Sequence, residues 1–151
     1  MKYMMVLLVA FATALPIHAQ VRTLEQRFVP LVLAEHQSPV LGIEYAKWTA
    51  YKFDLAQKRW TAVPFQVDEV KESGYIRDEK EKNGVIDAQD ELLFLSDDLG
   101  DRASASQWLD DQGSRSAARI EIEFTDPLDP AKKGWVYLYQ NLSNPPDRAD
   151  R

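Results

Sequence analysis

Residues 118–126, "ARIEIEFTD", alternate strictly: Ile120, Ile122 and Phe124 share one side, and Arg119, Glu121 and Glu123 share the other. A two-residue period marks a strand with one buried face. The Asp-Pro steps of "DPLDPAKKG" (126–134) then predict a turn, and "WVYLYQ" (135–140) returns as its partner. A second alternating run places Thr49, Tyr51, Phe53 and Leu55 on one face, with Lys52 and Asp54 on the other. After the polar "AQK" comes "RWTAVPFQVDEV" (59–70), where Thr61, Val63, Phe65 and Val67 alternate again. Two such runs around a short turn predict a β-hairpin. "RFVPLVLAE" (27–35) is apolar and β-prone, and Pro30 places it at an edge or a bulge. Helical spacing is nearly absent. The pattern predicts a mainly β domain, an antiparallel β-sandwich or partly open barrel, with one short helix after an acidic loop. That helix would open the segment "AQDELLFLS" (88–96), with extended chain after Leu93.

The first residues follow a different rule. Lys2 precedes an apolar run over 3–15, then Pro16 and the small Ala19. This is the order of a secretory signal peptide, and the run is shorter than the ~20 residues of a membrane span. Residues 1–19 are therefore expected to be removed, leaving a β-rich domain over 20–140 and a polar tail over 141–151, "NLSNPPDRADR". The tail reads as a linker, which suggests the front module of a longer protein. Losing Lys2 takes the net charge from −6 to −7. No cluster of Lys and Arg is present, so neither nucleic acid nor, after cleavage, a membrane surface is an expected partner. The chain has no cysteine. That excludes disulfides, a thiol nucleophile, a lipid anchor on cysteine and cysteine-held zinc. Export without disulfides points to a bacterial periplasm or exterior, and a bound ion would be another form of cross-link there.

Residues 79–90, "EKEKNGVIDAQD", supply a candidate. Oxygen side chains stand at its first, third, fifth, ninth and twelfth places: Glu79, Glu81, Asn83, Asp87 and Asp90. Gly84 permits a sharp turn, Ile86 would pin the loop inward, and Lys80 and Lys82 fall on solvent-facing places. The segment resembles an EF-hand loop, and more closely the calcium loop of dockerins, which often ends in Asp. That resemblance implies calcium held by Glu79, Glu81, Asn83, Asp87 and Asp90, with Val85 giving its carbonyl oxygen. Glu79 departs from the usual Asp, and "KESGYIRD" is too short for an entering helix. Downstream, Asp97, Asp98 and Asp101 either complete the coordination or pair with Arg102. Most of the chain from Val63 to Tyr139 also resembles a group of exported bacterial β-rich proteins, a likeness that carries no mechanism.

Catalytic chemistry has little to work with. His36 is the one imidazole beyond the leader, and there is no Gly-x-Ser-x-Gly elbow or phosphate-binding glycine loop. Asp68 and Glu69 form a carboxylate pair that would suit acid–base work on a sugar. Tyr45, Trp48, Tyr51, Trp60, Trp135, Tyr137 and Tyr139 are placed either for core packing or for sugar stacking. The sequence therefore favours an exported, monomeric β-domain with a structural calcium loop, serving as a binding or assembly module for an envelope protein or a glycan. A carbohydrate-active enzyme using Asp68 or Glu69 is the alternative.

Overall fold

The computed structural model describes residues 18–34 and 41–146, so most of the leader, His36 and the end of the tail lie outside the described residues. Among those described, nine strands form three antiparallel sheets. β2 (Trp48–Asp54) and β3 (Arg59–Val63) make the expected hairpin, its turn held by Gln57 N–H donating to Asp54 Oδ1 at 2.8 Å. β8 (Ile120–Asp126) and β9 (Asp129–Gln140) make another. Its turn is shorter than the sequence suggests, because only Pro127 and Leu128 separate the strands. The register jumps between Thr125 and Asp126, so Pro130 falls where the ladder has no partner for it. These four strands form one sheet in the order β3-β2-β9-β8.

The second sheet has the order β1-β7-β4, from β1 (Pro30–Ala34), β7 (Glu91–Leu95) and β4 (Gln66–Asp68). A small ribbon, β5 (Val70–Lys71) with β6 (Gly74–Tyr75), follows β4. Two expectations are corrected here. The run 59–70 is not one strand: it breaks at Pro64 and Phe65, with β3 in the first sheet and β4 in the second. No helix follows the acidic loop either. β7 starts directly at Glu91, and the only helical geometry nearby is a 3-10 turn at Ser96–Asp98. The reason is local and tertiary at once. Leu92 and Phe94 alternate with the partly exposed Leu93 and Leu95, and β1 and β4 supply backbone partners on both sides.

One core lies between the two larger sheets, which makes the architecture a β-sandwich. Leu31, Leu33, Val67, Leu92 and Phe94 come from one side, and Trp48, Ala50, Val63, Ile122, Phe124, Val136 and Leu138 from the other. A second core covers the far face of the four-stranded sheet. There Phe53, Trp135, Tyr137 and Tyr139 pack with Trp60 beneath the segment carrying Ala103, Trp108 and Leu109. The centre of β9 therefore has both faces covered. This explains why its last residues read as a continuous apolar run rather than an alternation. Gly100 permits the neighbouring crossing, since a Cβ there would sit 2.4 Å from the Phe53 carbonyl oxygen. Among the described residues no helix is long and apolar enough to cross a membrane.

Candidate functional site

The acidic loop is organised from below by a residue outside it. Val63, Phe65, Val67 and Glu69 share one parity, and the first three face the main core. Glu69 continues that parity and is buried, with 2 % of its surface exposed. Its Oε2 accepts Asn83 N–H at 2.8 Å and its Oε1 accepts Gly84 N–H at 2.9 Å. Gly84 adopts φ 75°, which glycine enters without the Cβ penalty of other residues. Asp90 closes the other end. It is 1 % exposed, and its two oxygens accept Val70 N–H and Asp87 N–H, each at 2.8 Å. Bonds from backbone N–H to an ionised acceptor contribute about 1.5–3 kcal/mol each, so these four define the loop's shape. Burial is the main reason the Asp90 carboxyl is pushed above its ordinary range. Ile86 pins the middle as expected: it is buried, and it exchanges backbone bonds with Ile43 (3.1 Å) and Gly42 (2.7 Å).

The expected calcium ligands are distributed differently. Glu79 is exposed and accepts Lys82 Nζ at 2.6 Å, a contact that raises the Lys82 pKa. Glu81 pairs with Lys71. Asn83 Oδ1 accepts Val85 N–H at 2.7 Å, and Asp87 Oδ1 accepts Gln89 N–H at 2.9 Å, so both make local turns. Val85 forms a bridge with Glu44. Asp90 spends both oxygens on backbone N–H groups. Among the described residues no group of three or more His, Asp or Glu side chains is placed to hold a metal ion. As folded, these side chains make separate local contacts rather than meeting at one point. Asp97 and Asp101 are likewise occupied: Asp97 Oδ1 accepts Phe28 N–H, and Asp101 accepts Arg22 N–H and Leu55 N–H. Arg102 pairs with Glu121 instead.

Beside this loop lies a cleft of about 830 Å³. It opens where the chain leaves β3, crosses Pro64 and Phe65, and enters β4. β3 and β4 are each the outermost strand of a sheet, so a strand edge from either sheet meets the opening. Its walls include Tyr45, Trp48, Ala62, Phe65, Gln66 and Leu93, and the acidic loop adds Glu79 and Lys82 to the rim. Trp48 is 3 % exposed, and its indole Nε1 is buried without an acceptor among the described residues. A buried donor left unpaired is rare and costly. Tyr45 belongs to both features. Its phenol is pushed up first by burial and then by the Glu69 carboxylate, to which it hydrogen-bonds. The loop is thus a braced wall of the cleft.

Asp68 and Glu69 do not act as a pair. Asp68 sits at the rim, where Gln66 Nε2 donates to its Oδ1, whereas Glu69 points into the loop. The aromatic residues are also accounted for. Tyr51, Trp60, Tyr137 and Tyr139 meet edge to face in the second core, with Trp108 standing on Tyr139 at 5.4 Å. Arg119 lies over Trp60, Trp108 and Tyr137 and donates to the carbonyls of Gln107 (2.6 Å) and Ser104 (3.3 Å). Tyr137 OH accepts Ala103 N–H at 2.7 Å and donates to Glu121 at 3.1 Å, and burial pushes its pKa far up. This face is packed, whereas the edge cleft is open to a ligand.

Fold and site together define a β-sandwich domain with an acidic loop braced against an edge cleft. No family model, curated protein or solved structure matches the chain.

Proposed function

We propose that the protein is an exported binding module whose ligand seats in the edge cleft, with the acidic loop as a structural wall. The cleft carries this reading. Its volume of about 830 Å³ lies in the ~300–1,000 Å³ range of ligand sites, and it combines apolar walls such as Phe65 and Leu93 with polar groups from Gln66 and Asp68. Export rests on the leader pattern. It also suits the fold, because Gln20, the first residue after the expected cut, is already tied to Arg102 by two backbone bonds of 3.2 and 2.7 Å. Catalysis by Asp68 with Glu69 has no support in this arrangement, since Glu69 is committed to the loop.

The test is a glycan array and a peptide library, each screened with the wild-type domain and with Ala62→Trp. Ala62 is exposed and lines the cleft, so a bulky side chain there fills the opening without disturbing the core. The expected result is a retained ligand that Ala62→Trp loses while keeping its melting temperature. A ligand bound equally by both proteins would contradict the assignment of the cleft.

A further inference from the structure

We propose that the step Asn83–Gly84 is a latent site of spontaneous deamidation, which the buried Glu69 keeps silent for as long as it holds the loop. The chemistry lies within the chain and needs only water besides. The backbone nitrogen of Gly84 attacks Cγ of Asn83, and the Cγ–Nδ2 bond breaks. The side-chain nitrogen leaves as ammonia, taking up the proton that Gly84 gives up. Water then opens the cyclic imide at one of its two carbonyls, leaving an aspartate or an isoaspartate at position 83. Among the three asparagines of the chain, Asn83 alone suits this. Glycine follows it and sets no side chain against the approach. Leu142 after Asn141 is bulky, and Pro145 after Asn144 has no N–H to give up. Asn83 is exposed, and a Cβ at Gly84 would meet nothing within 4 Å, so the step has room for water.

The fold opposes the first bond-making step. Gly84 N–H donates to Glu69 Oε1 at 2.9 Å, and Glu69 is 2 % exposed. The nitrogen therefore cannot lose its proton without setting negative charge beside a buried carboxylate. Asn83 N–H donates to the other oxygen at 2.8 Å. Asn83 Oδ1 accepts Val85 N–H at 2.7 Å, and Tyr45 N–H donates to the Gly84 carbonyl at 3.1 Å, so the side-chain amide and the glycine are both held. Releasing Glu69 lifts the block, and the product makes the release permanent. An isoaspartate adds a methylene to the backbone between the two N–H groups that Glu69 spans. The same loop brings Glu79 and Lys82 to the cleft rim, so the change is a one-way loosening of that wall.

The test follows the peptide containing Asn83 by mass spectrometry during incubation in warm neutral buffer, reading the conversion of amide to acid. Native protein should convert at least about a hundredfold more slowly than the same protein unfolded in urea, because two bonds to one carboxylate keep the loop closed almost all the time. Glu69→Gln keeps the size but loses the charge and one of the two acceptors. It should remove most of that protection, while Asn141 and Asn144 stay intact in both native proteins. Wild type alone gives a second reading should that variant not fold. Across urea concentrations below the unfolding midpoint, conversion at Asn83 and hydrogen exchange at the Gly84 amide should rise in step. Three results would each overturn the proposal: native wild type converting as fast as in urea, conversion while the Gly84 amide stays fully protected, or a folded Glu69→Gln as slow as wild type.

Discussion

Two buried carboxylates, Glu69 and Asp90, decide what the acidic loop is. Both were readable in principle. Val63, Phe65 and Val67 alternate inward, and the next inward place holds Glu69. Leu92 and Phe94 do the same, and the place before them holds Asp90. An acid at a core-facing position must be satisfied by donors nearby. The density of oxygen side chains over 79–90 suggests an ion, and spacing alone does not tell whether such side chains face a common point or the backbone. The difference has a pH signature. The Asp90 pKa is raised, chiefly by burial, so the folded state holds that proton more tightly than the unfolded one. Its contribution to stability is therefore present below the unfolded pKa and is lost as pH rises through the folded value. Asp111 is the opposite case. N–H groups, that of Ser114 first, hold its pKa down, so its contribution is present above the unfolded value and is lost as pH falls through the folded one. Urea midpoints measured between about pH 3 and 6 should show this. Asp90→Asn should make the loss of stability on acidification steeper than in wild type, and Asp111→Asn should make it shallower. Identical slopes in all three proteins would mean that neither carboxylate is held as described.

β8 announced itself because Glu121 and Glu123 alternate with Ile122 and Phe124, and β2 and β3 kept a legible alternation although both give side chains to both cores. The end of β9 did not, being apolar at consecutive positions because Val136 and Leu138 meet the main core while Trp135, Tyr137 and Tyr139 meet the second. The passage from β3 to β4 was also hidden. Val63, Phe65 and Val67 keep one parity through Pro64 because the same core lies on the inner side of both sheets. Trp108 had no visible role in the sequence, since the ring it stands on, Tyr139, comes from β9, far away along the chain, while its indole N–H donates locally to Ser114. Arg119 fastens the segment that carries it. Its guanidinium faces three rings within 6 Å and donates to two carbonyls, a fork that the single ammonium of lysine does not reproduce. Arg119→Ala should cost about 1–3 kcal/mol and speed amide exchange at Ala103 without altering exchange in β1 or β7. Arg119→Lys should recover little of either. Full recovery by lysine would show that charge alone holds the segment.

The sandwich as a whole brings the braced loop and the strand edges to one opening, and the account stands or falls on whether the loop keeps its shape by itself. Four amides report on that: Asn83 and Gly84, which donate to Glu69, and Val70 and Asp87, which donate to Asp90. A loop folded around an ion would have these groups ordered only when the ion is bound, as metal-linked folding requires. A loop folded around its own carboxylates has them ordered in any buffer. The deciding measurement is hydrogen exchange at these four amides in the presence of a chelator and again in millimolar calcium. The account predicts protection in chelator, with no further gain on adding calcium. Amides that exchange freely in chelator and become protected only with calcium would contradict it, and would restore Glu79, Glu81, Asn83, Val85, Asp87 and Asp90 as ligands.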